Sequence, residues 1–190
     1  MKREKGFTMI ELLVVFIILS VLLGLAIPGF SSWLPNYRLK GAARDIYSNL
    51  QLAKMTAVKD RARCAVLFDV PNSYRVVRIS PGPDNIYGNG DDPTPVALKT
   101  VSFSEYGSGV GYGSGTATGG VGGEAFDNNV TFQDDGIVFD SRGMVLRPTG
   151  AVSTGGYVYL QNNKNNAFAV GVLGGGVIAL QRWNGTAWQQ

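Results

Sequence analysis

Residues 7–27 read FTMIELLVVFIILSVLLGLAI, an almost unbroken apolar run. Wound as a helix at about 1.5 Å per residue, it would reach about 30 Å, the thickness of a bilayer's hydrocarbon core. Residues 1–6, MKREKG, carry three cations and one anion before it. Cations on that side hold the N-terminus in the cytoplasm, so the chain is expected to continue outward. A secretory signal peptide would have a shorter apolar core and a small-residue cleavage site after it. Pro28, Gly29 and Phe30 follow instead. A plain membrane anchor would explain the run but not Glu11 inside it. A carboxylate costs about 2.5–3.5 kcal/mol at mid-span, and less near the interface, so Glu11 needs a partner.

The stretch Gly6-Phe7-Thr8-Met9-Ile10-Glu11-Leu12-Leu13-Val14-Val15 resembles the prepilin N-terminus of type IV pilins and type II secretion pseudopilins. The match is a short basic leader, Gly, an aromatic residue, then Glu four residues on within an apolar helix. The resemblance implies cleavage between Gly6 and Phe7 by a prepilin peptidase, followed by methylation of the Phe7 amine. It also implies that Glu11 neutralises the Phe7 amine of a neighbouring subunit, a pairing that makes a carboxylate tolerable among apolar helices. Pro28 matches the proline with which the family loosens its helix. A kink or melted segment is expected there, since proline lacks the N–H and clashes with the preceding turn.

From Ser31 the chain is expected to continue as an amphipathic helix to Arg63, the second half of one long N-terminal helix, with Pro35 restarting it rather than sitting inside it. Leu39, Ala43, Ile46, Leu50, Ala53 and Ala57 recur every three or four residues and form one apolar stripe. Arg38, Lys40, Arg44, Lys54, Lys59 and Arg61 cover the other side. That side reads as a solvated back, with contact to lipid headgroups or acidic neighbours as the sharper alternative.

After Arg63 the period shortens to that of strands. Strands are expected at 65–70, 74–79, 96–103, 130–132, 137–140, 144–146, 157–161, 168–173 and 177–182. Pro71-Asn72-Ser73 turns the first pair, and Gly174-Gly175-Gly176 joins the last. Residues 106–123, YGSGVGYGSGTATGGVGG, are expected as a mobile insertion, with an adhesive loop anchored by Tyr106 and Tyr112 as the alternative. A long helix followed by an antiparallel β head resembles the GspH/FimT class of minor pseudopilins and minor pilins. Residues 52–58 (LAKMTAV), Phe139-Asp140-Ser141-Arg142-Gly143 and the closing strand pair carry that likeness. The expected fold is therefore α+β and pilin-like. It comprises a leader at 1–6, a membrane and filament-core helix at 7–30, a head helix at 31–63, and a β-rich extracytoplasmic head at 64–190.

The net charge of +3 conceals a split. Seven Lys/Arg face two Asp over 38–63, whereas seven face ten Asp/Glu from Cys64 onward. A basic stem carrying a mildly acidic head is a poor argument for nucleic acid. Some FimT-like minor pilins take up DNA through basic C-terminal residues. Here only Arg182 and Lys164 lie near that end, and phosphate contact needs several cations. Trp183 and Trp188 offer base-stacking surfaces, although burial is their commoner use. DNA is not an expected partner. Asp84, Asn85, Asn89, Asp91 and Asp92 crowd a Gly-flexible loop with oxygen ligands of the kind Ca²⁺ takes, against the alternative of a solvated turn. No cofactor is required. With no His and a single Cys, Cys64, His-based catalysis and an internal disulfide are excluded. Cys64 is expected to be buried and inert. An enzyme is not expected.

The resemblance implies an assembly subunit whose partners are other pilins or pseudopilins, the prepilin peptidase, the inner-membrane assembly platform and, before assembly, membrane lipid. It implies a bacterial inner-membrane protein with its head in the periplasm, later part of a type IV pilus or a type II secretion pseudopilus, at the tip or in initiation. A tip-borne adhesin or DNA receptor and a major filament-forming pilin are the alternatives.

Overall fold

The computed structural model describes residues 6–69, 71–88, 91–123 and 128–190, without the side chains of 26–32. A single helix, α1 (Met9–Asp60), dominates it. Its 52 residues amount to about 78 Å at the standard rise of about 1.5 Å. The backbone stays helical across Pro28 and Pro35. The stretches expected over 7–30 and 31–63 are the two halves of the one long helix, and the melted segment expected at Pro28 does not interrupt it. The side chain of Pro28 lies outside the described residues. A helix of this length keeps its other backbone bonds, which outweigh the loss of one per proline. The helix stops where Arg61 turns left-handed (φ 49°) and Ala62 N donates back to Ala57 O at 3.2 Å.

Among the described residues ten strands form two antiparallel sheets. The first runs in the order β3 (Val96–Ser102), β2 (Ser73–Ile79), β1 (Arg63–Asp69), β5 (Gly136–Phe139), β6 (Val145–Leu146). The second runs β10 (Trp188–Gln189), β9 (Ile178–Trp183), β8 (Ala167–Leu173), β7 (Gly155–Gln161), β4 (Gly111–Tyr112). Both sheets pack on α1. The expected helical stripe holds residue by residue: Leu39, Ala43, Ile46, Leu50, Ala53 and Ala57 are all fully buried. They meet Val66, Phe68 and Phe139 of the first sheet and Val158, Val170 and Val172 of the second in one core. The outer face of the first sheet carries a smaller core of Ala65, Val77 and Val138.

The β1–β2 hairpin and the Gly174–Gly176 turn form as expected, with Asp69 paired to Ser73 and Gly176 N donating to Leu173 O at 2.7 Å. The strand expected at 130–132 is only a bridge, Val130 to Val158. The two-residue strands β4 and β10 were not foreseen.

The segment 106–123, expected to hang free, is fastened along its length. Tyr106 Oη donates to Asp45 Oδ2 of α1 at 2.6 Å. Tyr112 Oη donates to Ser73 O, and its ring meets Phe103 edge-on with centroids 4.8 Å apart. Beyond β4, Gly113 N donates to Tyr159 O at 3.0 Å, Thr116 N to Asn165 O at 3.2 Å, and Val121 N to Tyr159 Oη at 3.0 Å. Trp188 Nε1 closes the far end on Gly119 O at 2.8 Å. The glycines are what let this segment lie so close to the outer face of the second sheet. A Cβ at Gly115 would sit 2.3 Å from Asn165 O. The two tyrosines proposed as adhesive anchors are committed to the protein's own interior.

Candidate functional site

Thr8 starts α1. Its extended backbone (φ −82°, ψ 153°) places Oγ1 to accept from Glu11 N at 3.3 Å. Glu11 folds back in return, its Oε2 accepting from Thr8 N and from Thr8 Oγ1, each at 2.9 Å. This reciprocal capping box fixes where the helix begins and where the carboxylate sits. Only Oε2 is used; Oε1 has no hydrogen bond among the described residues. The reading of the sequence assigned Glu11 a role but passed over Thr8, although Thr-x-x-Glu before an apolar run is the signal of such a box.

Gly6 and Phe7 precede the cap, non-helical and exposed. The peptide between them is thus accessible, and nothing would crowd even a Cβ added at Gly6. Residues 1–5 of the leader lie outside the described residues. From Gly6 to Leu25 every residue is exposed, among them Met9 at 89% and Leu25 at 76%. Residues 9–25 thus present apolar side chains all round the helix, with Glu11 as their only charge. Among the described residues no helix is long and apolar enough to cross a membrane. The apolar run continues at residue 26 into the segment whose side chains are not described.

The described residues of the oxygen-rich loop hold one another through turn hydrogen bonds. Both carboxylate oxygens of Asp92 accept backbone N–H groups, from Gly82 at 2.8 Å and Gly88 at 2.5 Å. Asp84 Oδ1 accepts from Ile86 N at 2.9 Å, and Asn85 takes a left-handed turn position (φ 59°). Asp91 lies against Gly82, and Asn89 falls outside the described residues. Among the described residues no three His, Cys, Asp or Glu side chains converge as metal ligands would.

Arg182 and Lys164 lie at the same end of the second sheet, since Arg182 pairs with Phe168 just beyond the 162–166 turn. Strand alternation sends Arg182 to the face of Ile178 and Leu180, which pack toward the core. Trp183, whose ring lies 5.3 Å from that of Trp188, is on the opposite face. Cation and aromatic surface thus lie on opposite faces of β9. Cys64 is buried, and burial, with Asp60 adding to it, pushes its thiol up to about 11 despite Arg78, so it stays protonated.

Asp140 organises the 139–143 motif. Its Oδ1 accepts from Arg142 N at 2.8 Å and Met144 N at 2.9 Å, and its Oδ2 pairs with the Arg142 guanidinium at 3.1 Å. Burial works to raise this carboxyl, but the Met144 and Arg142 amides and the Arg142 charge outweigh it, and the group is held below its ordinary range.

Comparison with known proteins places both halves. Residues 1–27 match a family described as the prokaryotic N-terminal methylation motif. Residues 42–176 match the family of type II transport protein GspH. The crystal structure of the type IV minor pilin FimU of Pseudomonas aeruginosa (strain PAO1) aligns with a TM-score of 0.47 at 13% identity, covering 82% of this chain and 95% of that one. No curated protein matches. With the methylation motif at the helix start and the GspH match over more than half of its length, the chain belongs to the GspH family of minor pilins and pseudopilins.

Proposed function

We propose that this protein is processed by a prepilin peptidase between Gly6 and Phe7, methylated at the new Phe7 amine, and assembled through α1 into a type IV pilus or a type II secretion pseudopilus, at the tip or during initiation. The observation that carries this reading is the wholly uncovered apolar helix from Met9 to Leu25 with Glu11 near its start. Each large apolar side chain left in water forfeits about 1.5–3 kcal/mol. Such a surface needs lipid before assembly and neighbouring helices after it. Glu11 retains a free carboxylate oxygen beside the helix start, which suits it to accept a cationic amine from an adjacent subunit. The peptidase, the inner-membrane assembly platform and the other pilins are the partners this implies. The head then lies in the periplasm while the helix is in the inner membrane. The role is architectural rather than catalytic.

The test is the intact mass of the protein from host membranes, alongside filament assembly by a Glu11→Val variant. The expected species begins at Phe7 and carries one added methyl, and Glu11→Val is expected to be processed yet to assemble poorly. A chain that keeps residues 1–6 in a host with active peptidase would refute the processing step. Normal assembly by Glu11→Val would refute the role of the carboxylate.

A further inference from the structure

Two loops close over the outer face of the first sheet. One is the connection between β2 and β3, described over 80–88 and 91–95. The other is the tight turn after β6, in which Gly150 (φ +88°) donates its N–H to Arg147 O at 2.8 Å. Between them is a cleft of about 330 Å³, at the small end of the range for ligand sites. Ile79, Val138 and Tyr87 form apolar parts of its wall, and two arginines, Arg63 and Arg147, line it. Arg63 opens β1 on the outer face, and its guanidinium lies over the Tyr87 ring, 4.1 Å from the centroid. Arg147 has a buried Nε with no acceptor.

Neither guanidinium has an ion-pair partner among the described residues, where the pairs are Arg75 with Asp69, Arg78 with Asp60 and Arg142 with Asp140. The one acid lining the cleft is Asp92, and both its oxygens are already held by backbone amides. Two cations against one committed anion leave one positive charge unmatched. A guanidinium offers a planar fork of donors that fits a carboxylate. A phosphate dianion would bring surplus negative charge close to Asp92.

We propose that this cleft binds a carboxylate carried on a small apolar body, whether the C-terminal residue of a peptide or a short aliphatic acid. The cleft lies on the face of the first sheet opposite α1, so the outcome bears on the cleft and leaves the assembly reading untouched. The experiment uses the full chain in detergent micelles and follows binding by titration calorimetry. The probes are hexanoate, N-acetyl-alanyl-leucine with a free C-terminus, the same dipeptide as its amide, and inorganic phosphate. The free acids are expected to bind and the amide not to. Tighter binding of the dipeptide assigns a peptide C-terminus, and tighter binding of hexanoate assigns a small acid. Arg147→Gln and Arg63→Gln are each expected to weaken binding by about tenfold, the loss of one charge-assisted hydrogen bond, with Arg182→Gln unchanged. If Arg147→Gln does not fold, Arg63→Gln and the acid–amide comparison decide the matter. Equal binding of acid and amide, preference for phosphate, or full affinity in both cleft variants overturns the proposal.

Discussion

Gly115→Ala tests whether the glycine-rich segment is laid on the second sheet or hangs from it. Gly115 has φ +63°, and an added Cβ would sit 2.3 Å from Asn165 O and 2.9 Å from Asn165 C. Those are backbone atoms of a turn fixed by Asn162, whose Oδ1 accepts from Lys164 N at 3.0 Å and Asn166 N at 3.1 Å. A rotamer change cannot relieve the clash. Left-handed backbone costs a residue with a Cβ about 1–2 kcal/mol relative to glycine. Overpacking against a fixed neighbour adds about 1–3 kcal/mol. The expected loss is therefore about 2–5 kcal/mol, including the strained Thr116 N to Asn165 O bond. At about 2–4 °C per kcal/mol for a chain of this size, the melting temperature should fall by roughly 4–20 °C. The assay is thermal unfolding of the full chain in detergent, followed by tryptophan fluorescence, because Trp188 holds the far end of the same segment. Gly175→Ala is the control, since nothing lies within 4 Å of a Cβ there and its φ is not left-handed. A Gly115→Ala midpoint within about 2 °C of wild type, the usual scale of an inconsequential surface change, would refute the packed arrangement.

Leu50→Ala should cost about 2–5 kcal/mol, because Leu50 is fully buried between the sheets. Leu52→Ala, on the exposed side of the same helix, should cost well under half of that in the same chemical melts. Asp140 has its carboxyl held below the usual range in the folded chain, so its contribution is complete above the unfolded carboxylate value and is lost as pH falls through the folded one. Asp140→Asn should therefore be less stable than wild type at neutral pH and flatten the decline in stability below about pH 4; an unchanged acid limb would contradict this.

Periodicity carried the head helix. Leu39 to Ala57 fell on one face because both sheets pack on that face, and local pattern and tertiary burial agreed. The prolines misled, since the effect of a missing N–H is read locally while helix continuity is decided over many turns. Residues 106–123 misled for a related reason. Composition says that such a segment buries little of its own, but not that Tyr159, Gln161 and Asn165 offer it a surface to lie on. Phe7 and Glu11 were legible because a charge within an apolar run is conspicuous. The cleft of Arg63 and Arg147 was not legible, because its two halves lie more than eighty residues apart in sequence and only the pairing of β1, β5 and β6 unites them.

The single unbroken α1 gives the molecule a mechanical character. The apolar stem and the buried stripe of the head are lengths of the same rod, so an axial displacement at one end arrives at the other with no hinge in which to be absorbed. A pull on the stem loads the head core in shear, with Leu39, Ala43, Ile46, Leu50, Ala53 and Ala57 sharing the stress in parallel. Contacts loaded together yield at higher force than contacts peeled one after another. An axial load on the stem is therefore shared by the whole buried stripe at once.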